Sequence, residues 1–237
     1  MTKGGYMIPN KGILIVYEGI SGSGKSEGIA QLKKDLAALG YPVSVAEWNS
    51  NRLIRGVIGV LRRLRLLTPT VYSLWQWFGF LIDYWFYMIP KLRRNRIIIA
   101  DRYVYTGMTR DVVNGAGAKL SRLGRFRVRE PDMVVFFDTP PETCSERIQS
   151  RGKRLFHPGQ PVHASVQPAE RDLLYLRRMR DEYVRIFSDK SLVRDTTVLF
   201  VRDSSRKANE VVKAYISQKT EAAASRLFQA DNRTRGV

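Results

Sequence analysis

One short segment constrains this chain more than any other. Gly19-Ile20-Ser21-Gly22-Ser23-Gly24-Lys25-Ser26 is a complete GxxxxGK[ST] pattern. Such a loop works only as the turn between a buried strand and the start of a helix. Both flanks are present. Ile13-Leu14-Ile15-Val16-Tyr17 precedes it as an apolar, β-branched run, and Ile29, Leu32, Leu36 and Leu39 follow at helical spacing until Gly40 and Pro42 stop the helix. Phosphate oxygens have to be approached by bare backbone N–H groups, so side chains are excluded at Gly22 and Gly24, and the helix N-terminus adds partial positive charge. Lys25 is placed to reach the β- and γ-phosphates, with the Ser26 hydroxyl as a Mg²⁺ ligand. The segment predicts binding of a nucleoside triphosphate through Gly19 to Ser26.

The rest of the chain supplies matching elements. Residues 43–47, 97–101, 133–138 and 197–201 read as further strands, the middle two being continuously apolar and ending in Asp101 and Asp138. Thr139-Pro140-Pro141-Glu142 opens a helix, with Thr139 as its N-cap and Glu142 in the capping-box position. Leu173, Leu176, Tyr183, Ile186 and Phe187 mark another helix, and Ala208, Val211, Val212, Tyr215 and Ile216 the last. Apolar strands alternating with helices imply an α/β fold of three layers, α/β/α, around a central five-stranded parallel sheet. At 237 residues the chain suits one domain over 1–220, with a lid around 147–170 and a flexible tail at 221–237.

Composition narrows the chemistry. A single cysteine, Cys144, excludes a disulfide framework and a cysteine-rich zinc site. His157 and His163, six apart in a proline-rich stretch, show no metal-ligand pattern. The opening MTKGGYMIPNKG has no apolar core of a secretory leader, which predicts a reducing, cytoplasmic setting. Forty Lys and Arg against 22 Asp and Glu leave a net charge of +18, suited to an anionic substrate or to nucleic acid. The arginine is spread along the chain and no sequence-reading nucleic-acid motif accompanies it, so a nucleic-acid partner is not favoured. Residues 71–89 are rich in Trp, Tyr, Phe and Leu, yet Gln76 and Asp83 interrupt the run and argue against a membrane span. These aromatics cannot all face one side of a helix, which predicts a homodimer through this segment.

Candidate catalytic residues lie at the strand ends. Asp101, followed at once by Arg102 and Tyr103, is the expected metal-side carboxylate, with Asp138 second. Arg147 and Arg151, four apart and so on one helical face, continue into Lys153 and Arg154. The variable P-loop positions Ile20, Ser21 and Ser23 offer no cation, so these arginines are expected to close over the migrating phosphoryl group.

Here the chain resembles the thymidylate kinase-like nucleoside monophosphate kinases. The resemblance rests on Tyr17-Glu18-Gly19 through Ser26, on Asp101-Arg102-Tyr103-Val104, and on Pro131-Asp132-Met133 through Asp138 leading into Glu146-Arg147-Ile148 and Arg151-Gly152, spanning about residues 11 to 216. It implies the P-loop NTPase fold of the nucleotide kinase type, ATP as donor, Mg²⁺ held through Ser26 and Asp101, and catalysis by Lys25, Asp101, Arg102, Arg147 and Arg151. It also implies an acceptor site, dTMP by family default, lined by Glu47, Phe78, Asp83, Arg102, Tyr103, Thr106 and Arg110. Three departures fall on the acceptor side. Ala46-Glu47-Trp48-Asn49-Ser50-Asn51 replaces the usual Arg-Glu-Pro-Gly-Gly-Thr, Asp83 is followed by Tyr84 where the family has arginine, and Tyr105-Thr106-Gly107-Met108-Thr109-Arg110 replaces a serine-rich stretch. Glu47 beside Trp48 resembles the base of deoxynucleoside kinases, the alternative reading, with a non-enzymatic P-loop or nucleic-acid-binding protein as the third.

Overall fold

The computed structural model describes residues 11–48, 51–116, 128–152, 155, 168–202 and 204–234. Five strands, β1 (Ile13–Gly19), β2 (Val43–Glu47), β3 (Ile97–Asp101), β4 (Met133–Phe137) and β5 (Thr197–Val201), form one sheet in the order β2-β3-β1-β4-β5. Every pairing is parallel, and β1 is central, with Tyr17 opposite both Asp101 on β3 and Val135 on β4. All seven β1 residues are buried, as a strand covered on both faces requires.

Alternation along β1 divides the core. Leu14 and Val16 face one cluster; Ile13, Ile15 and Tyr17 face the other. The second cluster is closed by α1 (Lys25–Ala38) and by the C-terminal helix, numbered here α8 (Ser205–Thr234). The Tyr17 hydroxyl donates to Asn209 Oδ1 at 2.7 Å, and Asn209 Nδ2 donates to the Gly28 carbonyl at 2.9 Å, pinning α8 to α1 and β1. The helix continues beyond residue 220 to Thr234, where sequence periodicity predicts little more than a short helical stretch.

The first cluster lies under α3 (Pro69–Asp83), α4 (Ile89–Arg93), α5 (Val104–Asn114), α6 (Pro141–Ser150) and α7 (Pro168–Ser188), and α2 (Arg52–Arg63) packs on α3. A π-helical segment, Tyr84–Met88, joins α3 to α4. It has a packing reason. Trp77, Phe80, Tyr84, Met88 and Leu92 are all buried, mostly four residues apart. On an ideal α-helix that spacing drifts by about 40° per step, and the wider turn holds the late members on the inner side. Among the described residues no helix is long and apolar enough to cross a membrane. Thr139 does not cap α6. Pro140 holds that position, and the Thr139 hydroxyl donates instead to the Ser23 carbonyl at 3.2 Å, tying β4 to the P-loop.

Candidate active site

The parallel sheet brings the carboxyl ends of all five strands to one edge, where β1 runs into the P-loop. Gly22 and Gly24 hold φ of 85° and 93°, conformations that L side chains rarely adopt. A Cβ on Gly22 would also stand 2.7 Å from the Cys144 carbonyl oxygen, so α6 closes the loop from behind. Cys144 itself is fully buried core, its thiol pushed up to about 11 by burial. Lys25 Nζ donates to the carbonyls of Gly19 and Ile20, both at 2.9 Å, and to Ser23 Oγ at 3.2 Å. Burial, and then the Arg102 charge, bring its ammonium down to about 7, against the opposing pull of Asp101 and Glu18. Ile20 is buried, Ser21 half-buried, and Ser26 exposed on the first turn of α1.

A cavity of about 290 Å³ opens beside this loop, walled by Gly22, Gly24, Arg147, Arg151, Arg202 and Ser205. Arg147 Nη1 donates to the Gly22 carbonyl at 3.3 Å. Arg147 on α6 and Arg151 just past its end thus line the cavity beside the P-loop. The rest of the expected lid, Lys153, Arg154 and residues 156–167, lies outside the described residues. Asp138, the second metal candidate, is buried and committed to ion pairs, accepting from Arg180 Nε at 2.7 Å and Arg202 Nε at 3.3 Å. It positions Arg202 at the cavity wall.

On the other side of β1, Asp101 is half-buried and stands in register with Glu47, so two carboxylates close adjacent strands. Arg102 follows with φ of 76°. Beneath it lies Glu18, fully buried, with Oε1 accepting from the Tyr103 amide (2.8 Å) and Oε2 from the hydroxyls of Thr106 (2.6 Å) and Tyr183 (2.9 Å). Burial pushes the Glu18 carboxyl up, while Arg102 and these hydrogen bonds hold it down, with burial the larger effect.

Several acceptor candidates shift once placed. Thr106 is fully buried with its hydroxyl engaged by Glu18, and the Tyr103 ring is fully buried with its hydroxyl donating to the Arg129 carbonyl at 2.9 Å. Phe78 is 52% exposed on the outer face of α3. Phe80, two residues and a half-turn on, takes the inward position, stacked on Trp48 at 4.8 Å between centroids and edge-on to Tyr103 at 5.3 Å. Asp83 is half-buried at the junction of α3 with the π-helical segment, and Glu47 is exposed. Arg110 Nη1 and Trp48 Nε1 both donate to Gln76 Oε1, at 3.2 and 3.0 Å, joining α5, the end of β2 and α3. Five residues on from Thr106, Asp111 is buried and accepts from Trp77 Nε1 at 2.7 Å and from Ser73 Oγ. The Trp77 ring covers Gly107 so closely that a Cβ there would meet it at 2.5 Å.

Sequence reasoning passed over Glu18, Gln76, Phe80, Asp111 and Tyr183. For Glu18 a signal existed: a carboxylate in the otherwise apolar, buried β1 run needs a partner. The others carry none, being ordinary members of amphipathic helices.

A P-loop on the central strand, an Asp-Arg pair on the neighbouring strand and arginines around the donor cavity define a P-loop kinase of the nucleotide type. The thymidylate kinase family model matches residues 17–214, and the chain belongs to that family. Among its relatives, a probable thymidylate kinase 2 of Saccharolobus solfataricus is 34% identical over 185 residues, covering 76% of this chain and 85% of that protein. A probable thymidylate kinase of Archaeoglobus fulgidus is 24% identical over 209 residues, covering 87% and 98%. The crystal structure of thymidylate kinase from Ehrlichia chaffeensis superposes with a TM-score of 0.62 at 17% identity, covering 86% of this chain and 98% of the other, a likeness of fold.

Proposed function

We propose that the chain is an ATP-dependent thymidylate kinase, converting dTMP to dTDP. Family membership carries this reading, and the site supports it: the P-loop and Arg102 follow neighbouring parallel strands, β1 and β3, at the same edge of the sheet. A phosphate monoester is largely dianionic near pH 7, its second pKa being about 6. The acceptor oxygen then attacks without a general base, and catalysis is alignment plus charge stabilisation. On binding ATP, Lys25 exchanges the Gly19 and Ile20 carbonyls for phosphate oxygens, and the triphosphate restores its full charge. Arg102 holds the dTMP phosphate in line with the transferred group, while Arg147, Arg151 and Arg202 hold the donor from the cavity wall.

The oxygen donors at this edge fit Mg²⁺, which takes few protein ligands alongside phosphate. Ser26 is exposed at the head of α1, Asp101 is half-buried at the end of β3, and the described residues hold no cluster of three carboxylate, histidine or cysteine ligands that would suit a protein-caged ion. Ser26 and Asp101 would hold it, the latter through water, where it would neutralise the donor phosphates.

We read residues 1–220 as one catalytic domain, with a lid over 147–170 acting in a cytoplasmic enzyme. The outer faces of α3 and the π-helical segment, where Leu74, Phe78, Trp85 and Phe86 are 48–82% exposed, are the proposed homodimer surface. The functional test is ADP release from Mg·ATP with dTMP, dUMP, dCMP and thymidine in parallel. Turnover greatest with dTMP supports the reading; turnover with thymidine alone assigns the site to a nucleoside kinase with Glu47 as its base.

A further inference from the structure

Arg102 occupies a backbone conformation, φ of 76°, that costs an L-residue about 1–2 kcal/mol. Strain of this kind persists only where the surroundings over-determine it. Here the restraints can be named. The Arg102 amide donates to the Tyr17 carbonyl at 3.0 Å. The Tyr103 amide donates to Glu18 Oε1 at 2.8 Å, and the Thr106 amide, bonded to the Tyr103 carbonyl at 3.0 Å, also reaches Oε1 at 3.3 Å. Tyr103 stands at the N-cap of α5 and its side chain caps nothing, so a carboxylate from the adjacent strand does the capping.

The other carboxylate oxygen governs the side chain. Oε2 accepts from the hydroxyls of Thr106 and Tyr183, and Arg102 Nη1 donates to the same two hydroxyl oxygens at 3.4 and 3.3 Å. Each hydroxyl has one hydrogen. The two hydroxyls also stand 2.7 Å apart, so one can donate to the other while the remaining hydrogen goes to Glu18, and either way both oxygens keep a lone pair to receive the guanidinium. Glu18, Thr106 and Tyr183 are all fully buried, so no water competes for these bonds. Tyr183 comes from α7, 81 residues away in sequence, on a helix that Arg177 fixes to Glu142 and Arg180 to Asp138.

We propose that Glu18 and Tyr183 are positioning residues for Arg102: through the Tyr183 and Thr106 hydroxyls they fix its guanidinium where the acceptor phosphate binds. The proposal rests on the reading of Arg102 given above. Tyr183→Phe is the discriminating variant, because it keeps the ring against Phe136 and Phe187 and deletes only the hydroxyl. KM for dTMP is expected to rise about ten-fold, the effect of losing a hydrogen bond to a charged group. KM for ATP stays unchanged, and Thr106→Val reproduces the pattern should Tyr183→Phe fail to fold. A merely structural role would lower the thermal midpoint and weaken both substrates together. The side-chain Nη1–H resonance of Arg102 in the free protein, assigned by its loss in Arg102→Lys, gives a readout without turnover: exchange-protected in the wild type, unprotected in Tyr183→Phe. Wild-type failure on dTMP would count against the function alone, since the resonance still decides the positioning. Unchanged protection in the variant, or equal loss of both substrates, overturns the proposal.

Discussion

The donor and acceptor halves of this site are built from different materials. On the proposed donor side a ligand would meet backbone: the loop from Gly19 to Ser26, with Gly19, Gly22 and Gly24 in conformations only glycine holds easily, on a helix N-terminus. On the proposed acceptor side it would meet side chains whose places are set by packing: Arg102 over Glu18, and Arg110 and Trp48 gathered on Gln76. A backbone site demands particular residues at fixed spacing, so it stays recognisable in sequence. A side-chain site is re-formed by substituting neighbours, and the family resemblance weakens there, at Tyr84 and along 46–51.

The contrast can be broken by experiment. The largest expected effect is on the donor side: Lys25→Ala should lower kcat by about a thousand-fold, measured as ADP release, with near-normal turnover contradicting the assignment. Next is packing on the acceptor side. Gly107→Ala drives a methyl group into the Trp77 ring, 2.5 Å away, and so disturbs its bond to Asp111. Stability should fall by about 1–3 kcal/mol by chemical denaturation, with dTMP affinity falling more than ATP affinity.

A smaller effect separates the halves by protons. Lys25 titrates at about 7 in the free protein, below its unfolded value of 10.5. Between those values the unfolded chain binds more protons, so this group makes the free protein more stable as pH rises through that window. ATP binding should reverse the shift and take up a fraction of a proton at pH 7.5, seen by calorimetry in buffers of different ionisation enthalpy, whereas Lys25→Met takes up none. Smallest of all is Phe78→Ser. Because Phe78 lies on the outer face of α3, KM for dTMP should change by less than about two-fold, as surface substitutions generally do, while light scattering should show the proposed dimer weakened.

What the sequence reveals follows the same division. The strands, the parallel sheet and the P-loop are legible because apolar runs and glycine spacing have few other uses. Phe78 against Phe80 is not: both are aromatic on one helix, and only the buried row from Trp77 to Leu92 shows which faces inward. Arg147 and Arg151 illustrate the limit. Their four-residue spacing places them on one side, but which loop atoms they meet depends on where α6 docks, with Cys144 packed against Gly22 and Arg147 on the Gly22 carbonyl. Glu18 is legible in retrospect from the rule that a buried carboxylate needs donors; Tyr183, 165 residues away, is not.

The division of labour between the halves is tested most directly by Arg102→Ala, with ATP and dTMP titrated separately by calorimetry. Retained ATP affinity with dTMP binding lost is the predicted result. Equal weakening of both ligands, or dTMP bound as in the wild type, would contradict an acceptor site centred on Arg102.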